Sequence, residues 1–229
     1  VNLHPAAVSN TQMGYIFEEL IRRFSELSNE AAGEHFTPRE VISLMVNILF
    51  NPEEDINRLC AGGAMASLYD PGAGTGGMLS IASQHVKDLD DTARLEVYGQ
   101  ELNPQTYAVA KSDIMIKGER QERIYFGNSL TNDQTAGRRF DYMLCNPPFG
   151  VNWKKYADPI LEEEERQGWH GRFGAGTPRK SDGSFLFLQH MISKMKPYDP
   201  QDPVNAPGTR IAIVFNGSPL FTGGAGQGE

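Results

Sequence analysis

The residues with the clearest chemical potential are Asn146, Pro147, Pro148 and Phe149, which follow a short apolar run. Because prolines cannot donate to a sheet ladder, they stop the strand and leave Asn146 and Phe149 on a stiff turn. The Asn146 side-chain oxygen and the Pro147 carbonyl can accept from both N–H groups of an exocyclic amine, and Phe149 offers a face on which a base can stack. The four residues therefore predict a catalytic turn that makes an amine nitrogen a better nucleophile. The alternative is a rigid strand terminator with a core phenylalanine.

A second candidate group surrounds a glycine-rich turn after the first predicted strand. Gly72, Gly74 and Gly76 permit tight backbone geometry and close approach of a ligand to the following helix. Glu101, at the end of the second strand, can bond both hydroxyls of a ribose. Asp70 precedes the glycines, where it suits a ligand that carries an ammonium and a sulfonium. This pattern indicates an S-adenosylmethionine site, with an empty glycine connection and a solvated strand end as the alternatives.

Two smaller features lie at other element ends. Glu34, His35, Phe36 and Thr37 precede a helix and can cover the adenine or the methionine end of the cofactor, or form a helix cap over a buried aromatic. Asn128, with Ser129, follows the third strand and can touch the cofactor adenine or form a plain turn. The histidines show no metal-ligand spacing, so we expect no metal.

The elements that must position these residues alternate between strand and helix. Strands are predicted at 66–70, at 94–102, as a short segment within 123–130, at 139–146 and at 209–215, with helices between them. Alternation with nearly continuous apolar strands predicts an α/β fold, a doubly wound and mostly parallel sheet of Rossmann-like type. Ligands bind such sheets where the strand order reverses, so the strand that ends at Asn146 should neighbour the glycine-turn strand.

The beginning of the chain predicts helices. A stripe of apolar residues repeats at spacings of three and four over 10–30. The next helix has Thr37 as the expected N-cap, Pro38 at its first position and Glu40 closing a capping box. We predict that residues 1–50 are the end of a helical domain. Residues 51–229 should form the catalytic domain, with a long loop at 151–183.

The bulk composition limits the classes of function. The chain has 229 residues, a net charge of -8 and two cysteines without metal-like spacing. The acidic balance argues against a chain that grips nucleic acid by itself, because that binding depends on lysine and arginine. Free thiols, no apolar run long enough to span a bilayer and no signal-peptide pattern predict a cytoplasmic protein. The Gly-rich end after the last strand predicts that the chain is part of a longer protein.

Four motifs in order carry a family resemblance: EHFTPR at 34–39, DPGAGTGG at 70–77, GQELN at 99–103 and NPPF at 146–149. Together they closely resemble the modification subunit of type I restriction–modification systems, over nearly the whole chain. The resemblance implies a DNA adenine-N6 methyltransferase that uses S-adenosylmethionine and flips its target adenine out of the duplex. It also implies a specificity subunit, a second modification subunit and, in some assemblies, a restriction subunit as partners.

The same resemblance assigns residues to roles. It implies that the NPPF turn is catalytic, and it adds a set of cofactor contacts to the residues already named. These are Glu34, His35, Phe36, Thr37, Pro38, Arg39, Thr75, Gly76, Gly77 and Glu101. The basic residues of the predicted long loop can then meet the DNA backbone as the base flips, or they are simply solvated. They are Lys154, Lys155, Arg172, Arg179 and Lys180.

Other functions remain open from the sequence. Amino-methyltransferases that act on protein glutamine or on RNA share an Asn-Pro-Pro-aromatic turn, although Phe149 and the upstream FTPR helix favour DNA adenine. A second alternative is a scaffold that binds the cofactor and partner subunits without turnover. An NAD-dependent oxidoreductase is weakly supported, because no acid or substrate-anchoring arginine suited to hydride transfer is evident.

Overall fold

The computed structural model describes residues 37–50, 65–118, 120–203 and 206–215, together with isolated positions among the first twenty residues. The regular elements in chain order are α1 (Arg39–Leu49), β1 (Met65–Asp70), α2 (Gly77–Leu89), β2 (Arg94–Glu101), α3 (Pro104–Ile116), β3 (Ile124–Phe126), β4 (Tyr142–Cys145), α4 (Ala157–Gln167), α5 (Ser184–Ser193) and β5 (Arg210–Ile213). The helix predicted over 10–30 and the Gly-rich end lie largely outside the described residues.

The strands form one parallel sheet in the order β3-β2-β1-β4-β5. The order reverses between β1 and β4, where Leu68 pairs with Tyr142 and Tyr69 with Met143. The predicted α/β fold and the predicted neighbourhood of these two strands are therefore confirmed. Because all strands run in the same direction, the ends of β1, β2 and β4 open onto one edge of the sheet.

Side chains on the two faces of the sheet bury separate sets of apolar groups. Leu68, Tyr142 and Leu144 face the core formed with α1, α2 and α3. Tyr69 and Met143, one residue out of phase, pack on the opposite face with Phe140 and Met191. Successive strand residues point to opposite faces, so a strand covered on both sides must be apolar throughout, as β4 is.

The 151–183 stretch is not a loop, so that prediction was wrong. It contains α4 and two short 3-10 turns at Lys154–Tyr156 and Gly168–His170. Ala157 and Ile160 of α4 pack with Trp153, Phe173 and the α5 residue Leu186. The acidic run at 162–166 reads from the sequence as a solvated helix face and lies within α4, but the full helix was not predicted because so few of its positions are apolar.

Candidate functional site

The first wall of the site is the turn between β1 and α2. Asp70 ends β1 fully buried, and its Oδ1 accepts a hydrogen bond from the Gly72 amide at 3.0 Å. Its Oδ2 is buried and has no hydrogen-bond partner. Burial raises the pKa of Asp70 to about 7; the Gly72 amide opposes this shift and the charge of Glu101 adds to it. The buried Cys145 thiol lies close enough to oppose the rise in the pKa of Asp70, and Oδ2 still offers an acceptor position to a ligand.

Two of the glycines in this turn are required by backbone conformation. Gly74 and Gly76 have φ angles of 53° and 81°, in the left-handed region that favours glycine. Gly76 is also the N-cap of α2, so the turn delivers backbone amides at the helix N-terminus. A side chain at Gly74 would meet no atom within 4 Å, which leaves open space beside the turn.

Glu101 braces the glycine turn from the end of β2. Its Oε2 accepts from the Gly74 amide at 2.8 Å, and its Oε1 accepts from the Asn103 amide at 2.7 Å. A carboxylate has about four acceptor positions, so two remain for the hydroxyls of a ligand. Asn103 in turn caps α3 by accepting from the Gln105 and Thr106 amides, with Pro104 at the first helical position.

Sequence reasoning missed Gly99, which lies beside Asp70 in the register of β1 and β2. A Cβ there would lie 2.9 Å from a Leu79 carbon and 3.0 Å from the Ala73 Cβ. Gly99 therefore lets the glycine turn and α2 approach β2. Only the tertiary contacts reveal this role, because the φ angle of Gly99 is not in the left-handed region.

The catalytic-turn candidate follows β4, beside Asp70. The Val214 amide donates to the Cys145 carbonyl at 3.0 Å and holds the end of β4 against β5. The Asn146 Nδ2 donates to the Thr37 hydroxyl at 2.9 Å, while its Oδ1 is buried without a partner. The geometry therefore leaves Asn146 with a free acceptor, which an amine N–H can satisfy. Pro147 is buried, and Pro148 and Phe149 are partly exposed at the mouth of the turn.

The capping box predicted for α1 is not formed. Pro38 occupies the N-cap with ψ of 140°, and α1 begins at Arg39 without a side-chain cap. Thr37 instead lies one residue too early to cap, and its hydroxyl accepts from Asn146. Thr37 is thus brought to the catalytic turn, a contact between residues 109 positions apart that no local pattern indicates.

The remaining cofactor candidates lie in the EHFTPR motif and in the turn after β3. Glu34, His35 and Phe36 lie outside the described residues. Asn128 is half-buried and its Oδ1 accepts from the Leu130 amide at 2.9 Å, which makes a local turn. The Ser129 hydroxyl donates to the Pro71 carbonyl, so this turn rests directly on the glycine turn.

Arg172 does not belong to the exposed basic group predicted from the sequence. Its Nε contacts both Glu163 carboxylate oxygens at 3.0 and 3.1 Å, and its Nη groups donate to the Ser129 and Leu130 carbonyls at 3.0 and 2.8 Å. Only 17% of the Arg172 side chain is exposed. The expectation that it meets a DNA backbone was wrong, because every face of this guanidinium is occupied within the chain.

His190 extends this network into the core. Arginine can only donate, so His190 Nδ1 accepts from Arg172 at 3.1 Å and Nε2–H donates to the Tyr69 hydroxyl at 3.1 Å. Burial, with the charge of Lys194, lowers the pKa of His190 to about 3 and keeps the ring neutral. Sequence reasoning missed these roles, since neither Arg172 nor His190 has a partner at a recognisable spacing.

Three further features of the described residues concern the cysteines, possible metal ligands and the length of the helices. Cys145 is free and buried, and burial keeps the pKa of its thiol well above its usual range; Cys60 lies outside the described residues. Within the described ranges, no group of three His, Cys, Asp or Glu side chains is arranged to hold a metal ion. Over the same ranges, none of the helices has the length and hydropathy needed to cross a membrane.

Comparison with known proteins gives a consistent picture. A family model described as N-6 DNA Methylase matches residues 8–228. The chain is 28% identical over 187 residues to the type I restriction enzyme HindI methylase subunit of Haemophilus influenzae, which covers 81% of this chain and 38% of that protein. It is 27% identical over 190 residues to the MjaIX methylase subunit of Methanocaldococcus jannaschii, covering 80% of this chain and 30% of that protein.

A solved structure agrees with these relatives. The type I restriction-modification system methyltransferase subunit from Streptococcus thermophilus superposes with a TM-score of 0.70 at 27% identity, over 93% of this chain and 41% of that one. The chain thus spans less than half the length of each of these relatives. Since the family model matches nearly all of a chain whose sheet carries Asp70, Glu101 and Asn146 to one edge, the chain belongs to the N-6 DNA Methylase family.

Proposed function

We propose that this chain is the catalytic part of the modification subunit of a type I restriction–modification system, a DNA adenine-N6 methyltransferase. The observation that carries the proposal is the pair of buried oxygens without partners, Asp70 Oδ2 and Asn146 Oδ1, at the ends of the adjacent strands β1 and β4. One suits a cation and the other an amine N–H, so a cationic cofactor and an amine substrate would meet between these strand ends.

The residues of the first wall fit S-adenosylmethionine. Asp70 Oδ2 would accept from the ammonium of its methionine end, and the spare acceptor positions of Glu101 would take the ribose hydroxyls. Thr75, Gly76 and Gly77 would line the turn, while Asn128 would border the adenine. When bound, the cofactor supplies an electrophilic methyl group on a sulfonium. Glu34 to Arg39 remain cofactor contacts in this proposal, with Thr37 also touching the catalytic turn.

The catalytic turn would act on the adenine amine. The Asn146 Oδ1 and the Pro147 carbonyl would accept from the two N–H groups, which raises electron density on nitrogen and aims its lone pair. Phe149 would stack on the flipped base, a contact worth about 1–3 kcal/mol. As the nitrogen–carbon bond forms and the sulfur–carbon bond breaks, the nitrogen loses one proton. Neither acceptor retains that proton, so it passes to water.

The proposed protein works in an assembly. We infer that a specificity subunit reads the DNA sequence, that a second modification subunit completes the methyltransferase and that a restriction subunit can join. The net charge of -8 supports this division, since a separate chain would supply most of the grip on DNA. We place the assembly in the cytoplasm. Residues 1–50 would end a helical domain and residues 51–229 would belong to the catalytic domain.

The test is to express the full-length protein with its specificity subunit in a host that lacks adenine methylation. Mass spectrometry of digested DNA should detect N6-methyladenine with the wild type. Asn146→Ala should lower transfer by about a hundredfold or more, the scale seen when one transition-state contact is removed. The variant should keep its affinity for S-adenosylmethionine, because Asn146 serves the substrate amine.

Each outcome separates the alternatives. No methyladenine from a wild-type complex that binds the cofactor would favour a protein or RNA substrate, or a scaffold without turnover. Loss of cofactor affinity in a folded Asn146→Ala variant would overturn the separation between cofactor binding at the β1–α2 turn and substrate binding at Asn146. The melting temperature of the variant is the folding control, because Asn146 also contacts Thr37.

A further inference from the structure

Two segments that follow the candidate catalytic turn, about 26 positions apart in the chain, are joined side by side. The Trp153 amide donates to the Lys180 carbonyl at 3.1 Å, and the Trp153 indole donates to the Arg179 carbonyl at 3.0 Å. Trp153 itself is only 3% exposed. One buried side chain therefore fixes residues 153–155 against residues 179–180, with the charged side chains of both segments left outside.

These side chains form an exposed cationic group, here called the basic patch: Lys154, Lys155, Arg179 and Lys180. Among the described residues, no carboxylate forms a salt bridge with any of the four; the Lys155 ammonium lies 4.7 Å from the centre of the Tyr156 ring. Elsewhere on this acidic chain, Arg123, Arg172 and Lys194 are engaged by carboxylates. The basic patch is thus positive charge that the chain itself leaves uncompensated.

The basic patch lies next to the candidate site. Lys154 follows Asn146 by eight positions. Trp153 packs in one cluster with Leu130, from the turn after β3, and with Leu186, from the first turn of α5. Gly183 makes this fit possible, because a Cβ there would lie 3.2 Å from a Trp153 ring carbon.

We propose that the basic patch binds the phosphate backbone of the DNA strand beside the flipped base. The proposal rests on the proposed function and names the surface by which this chain adds its own contact with the substrate to the grip of the specificity subunit. Uncompensated lysines and arginines next to an amine-modifying site match the charge of a nucleic acid backbone. Anchored by Trp153, they are already positioned when DNA arrives. Phosphate contacts set register and carry no sequence information, which suits a chain that leaves sequence reading to another subunit.

The test measures how binding of a fluorescein-labelled 20-base-pair DNA duplex depends on salt, with the full-length protein in complex with its specificity subunit. Lys154→Gln with Lys155→Gln removes two charges from the basic patch. If each lysine contacts one phosphate, the plot of log affinity against log salt should be less steep by about 0.9 per lost contact. Between 50 and 200 mM salt, the affinity of the wild type should therefore fall about 12-fold more than that of the double variant. Arg179→Gln with Lys180→Gln should give a similar change.

The matched control is Arg120→Gln with Arg166→Gln, which removes the same charge from other surfaces. Arg120 precedes the amino end of β3, at the opposite edge of the sheet, and exposed Arg166 pairs with Glu162 on α4. The control should keep the wild-type salt slope, and all variants should keep their melting temperatures.

The proposal that the basic patch binds DNA would be wrong if the DNA affinity of the patch variants and of the control variant depended equally on salt. It would also be wrong if the wild type did not bind the duplex at 50 mM salt. An unchanged slope together with loss of a copurifying protein subunit would reassign the patch to a protein contact. Methyl transfer is measured separately. Patch-dependent DNA binding without N6-methyladenine would overturn the proposed function and leave the binding surface standing.

Discussion

At the scale of single residues, two atoms dominate the site. Asp70 Oδ2 and Asn146 Oδ1 are buried without partners, although buried polar groups are nearly always hydrogen-bonded. Each such atom costs about 1–3 kcal/mol in the free protein. A ligand that satisfies both recovers that cost on binding. The Thr37 hydroxyl accepts from Nδ2 of Asn146, and Oδ1 is the end of the amide that has no partner.

A substitution at Thr37 can show whether this residue orients Asn146 or contacts the cofactor. Thr37→Val keeps the shape of the side chain but removes the hydroxyl that holds Asn146, so the amide should lose its fixed orientation. We expect kcat for methyl transfer to fall about three- to tenfold, the worth of one hydrogen bond, with an unchanged KM for S-adenosylmethionine. Thr37→Ser should behave as wild type. A change in cofactor KM alone would instead support the cofactor contact predicted from the sequence.

At the scale of elements, residues 151–183 fold into a helix and short turns that are held together by side-chain hydrogen bonds. Helix α4 supplies Glu163, the following turn supplies Arg172 and α5 supplies His190. Through the Ser129 and Leu130 carbonyls the same guanidinium reaches the turn after β3, which rests on the glycine turn. Arg172 therefore links α4 and α5 to the turn that supports the glycine turn.

Arg172→Ala tests this link. It should lower the free energy of unfolding by about 3–5 kcal/mol, because Glu163 would be left largely buried without its partner. Arg166→Ala, which removes an exposed ion pair with Glu162 on the same helix, should change it by less than about 1 kcal/mol. Urea unfolding of both variants checks the contrast. Equal small losses would mean that the segment is held by its apolar contacts alone.

At the scale of the whole molecule, buried carboxyls make stability depend on pH in two directions. For Glu163, burial pushes the pKa up, but the hydrogen bonds from Arg172 outweigh it and the pKa is lowered. That contribution is present above the unfolded pKa and is lost as the pH falls. For Asp70 the pKa is raised from 3.8 to about 7, so the folded state binds the extra proton and stability falls as the pH rises through this window.

Asp70→Asn should remove this second dependence. Between pH 4 and 7 the wild type should lose up to about 4 kcal/mol relative to the variant, from about three pKa units. S-adenosylmethionine should reverse the loss by pairing with the carboxylate, so its binding at pH 6 should release a proton, measurable by calorimetry in buffers of different ionisation enthalpy. Proton release that persists in Asp70→Asn would assign the linked group elsewhere.

Local patterns were sufficient to predict the class of fold and to single out candidate residues at the ends of its strands. The apolar strand that stops at Asn146, the glycines after Asp70 and the carboxylate at Glu101 each follow from short-range chemistry. Their meeting at one edge follows from parallel strand order. The capping box predicted at Thr37 was wrong because Pro38 is the N-cap of α1. The Thr37 hydroxyl accepts instead from Asn146, which is distant in the chain. The long-loop prediction for 151–183 was wrong because only the acidic run at 162–166 indicated a helix, and the few apolar positions of α4 that pack inward gave no clear pattern.

The sequence by itself therefore determined the class of fold, the family resemblance and the residues that end β1, β2 and β4. The tertiary structure decided what those residues touch: Thr37 on Asn146, Arg172 against Glu163 and Trp153 behind the basic patch. The physical reason is the separation along the chain of the residues that interact. Periodicity, caps and turns are encoded within a few residues, whereas pairing between buried polar groups depends on which distant segments the packed core brings together.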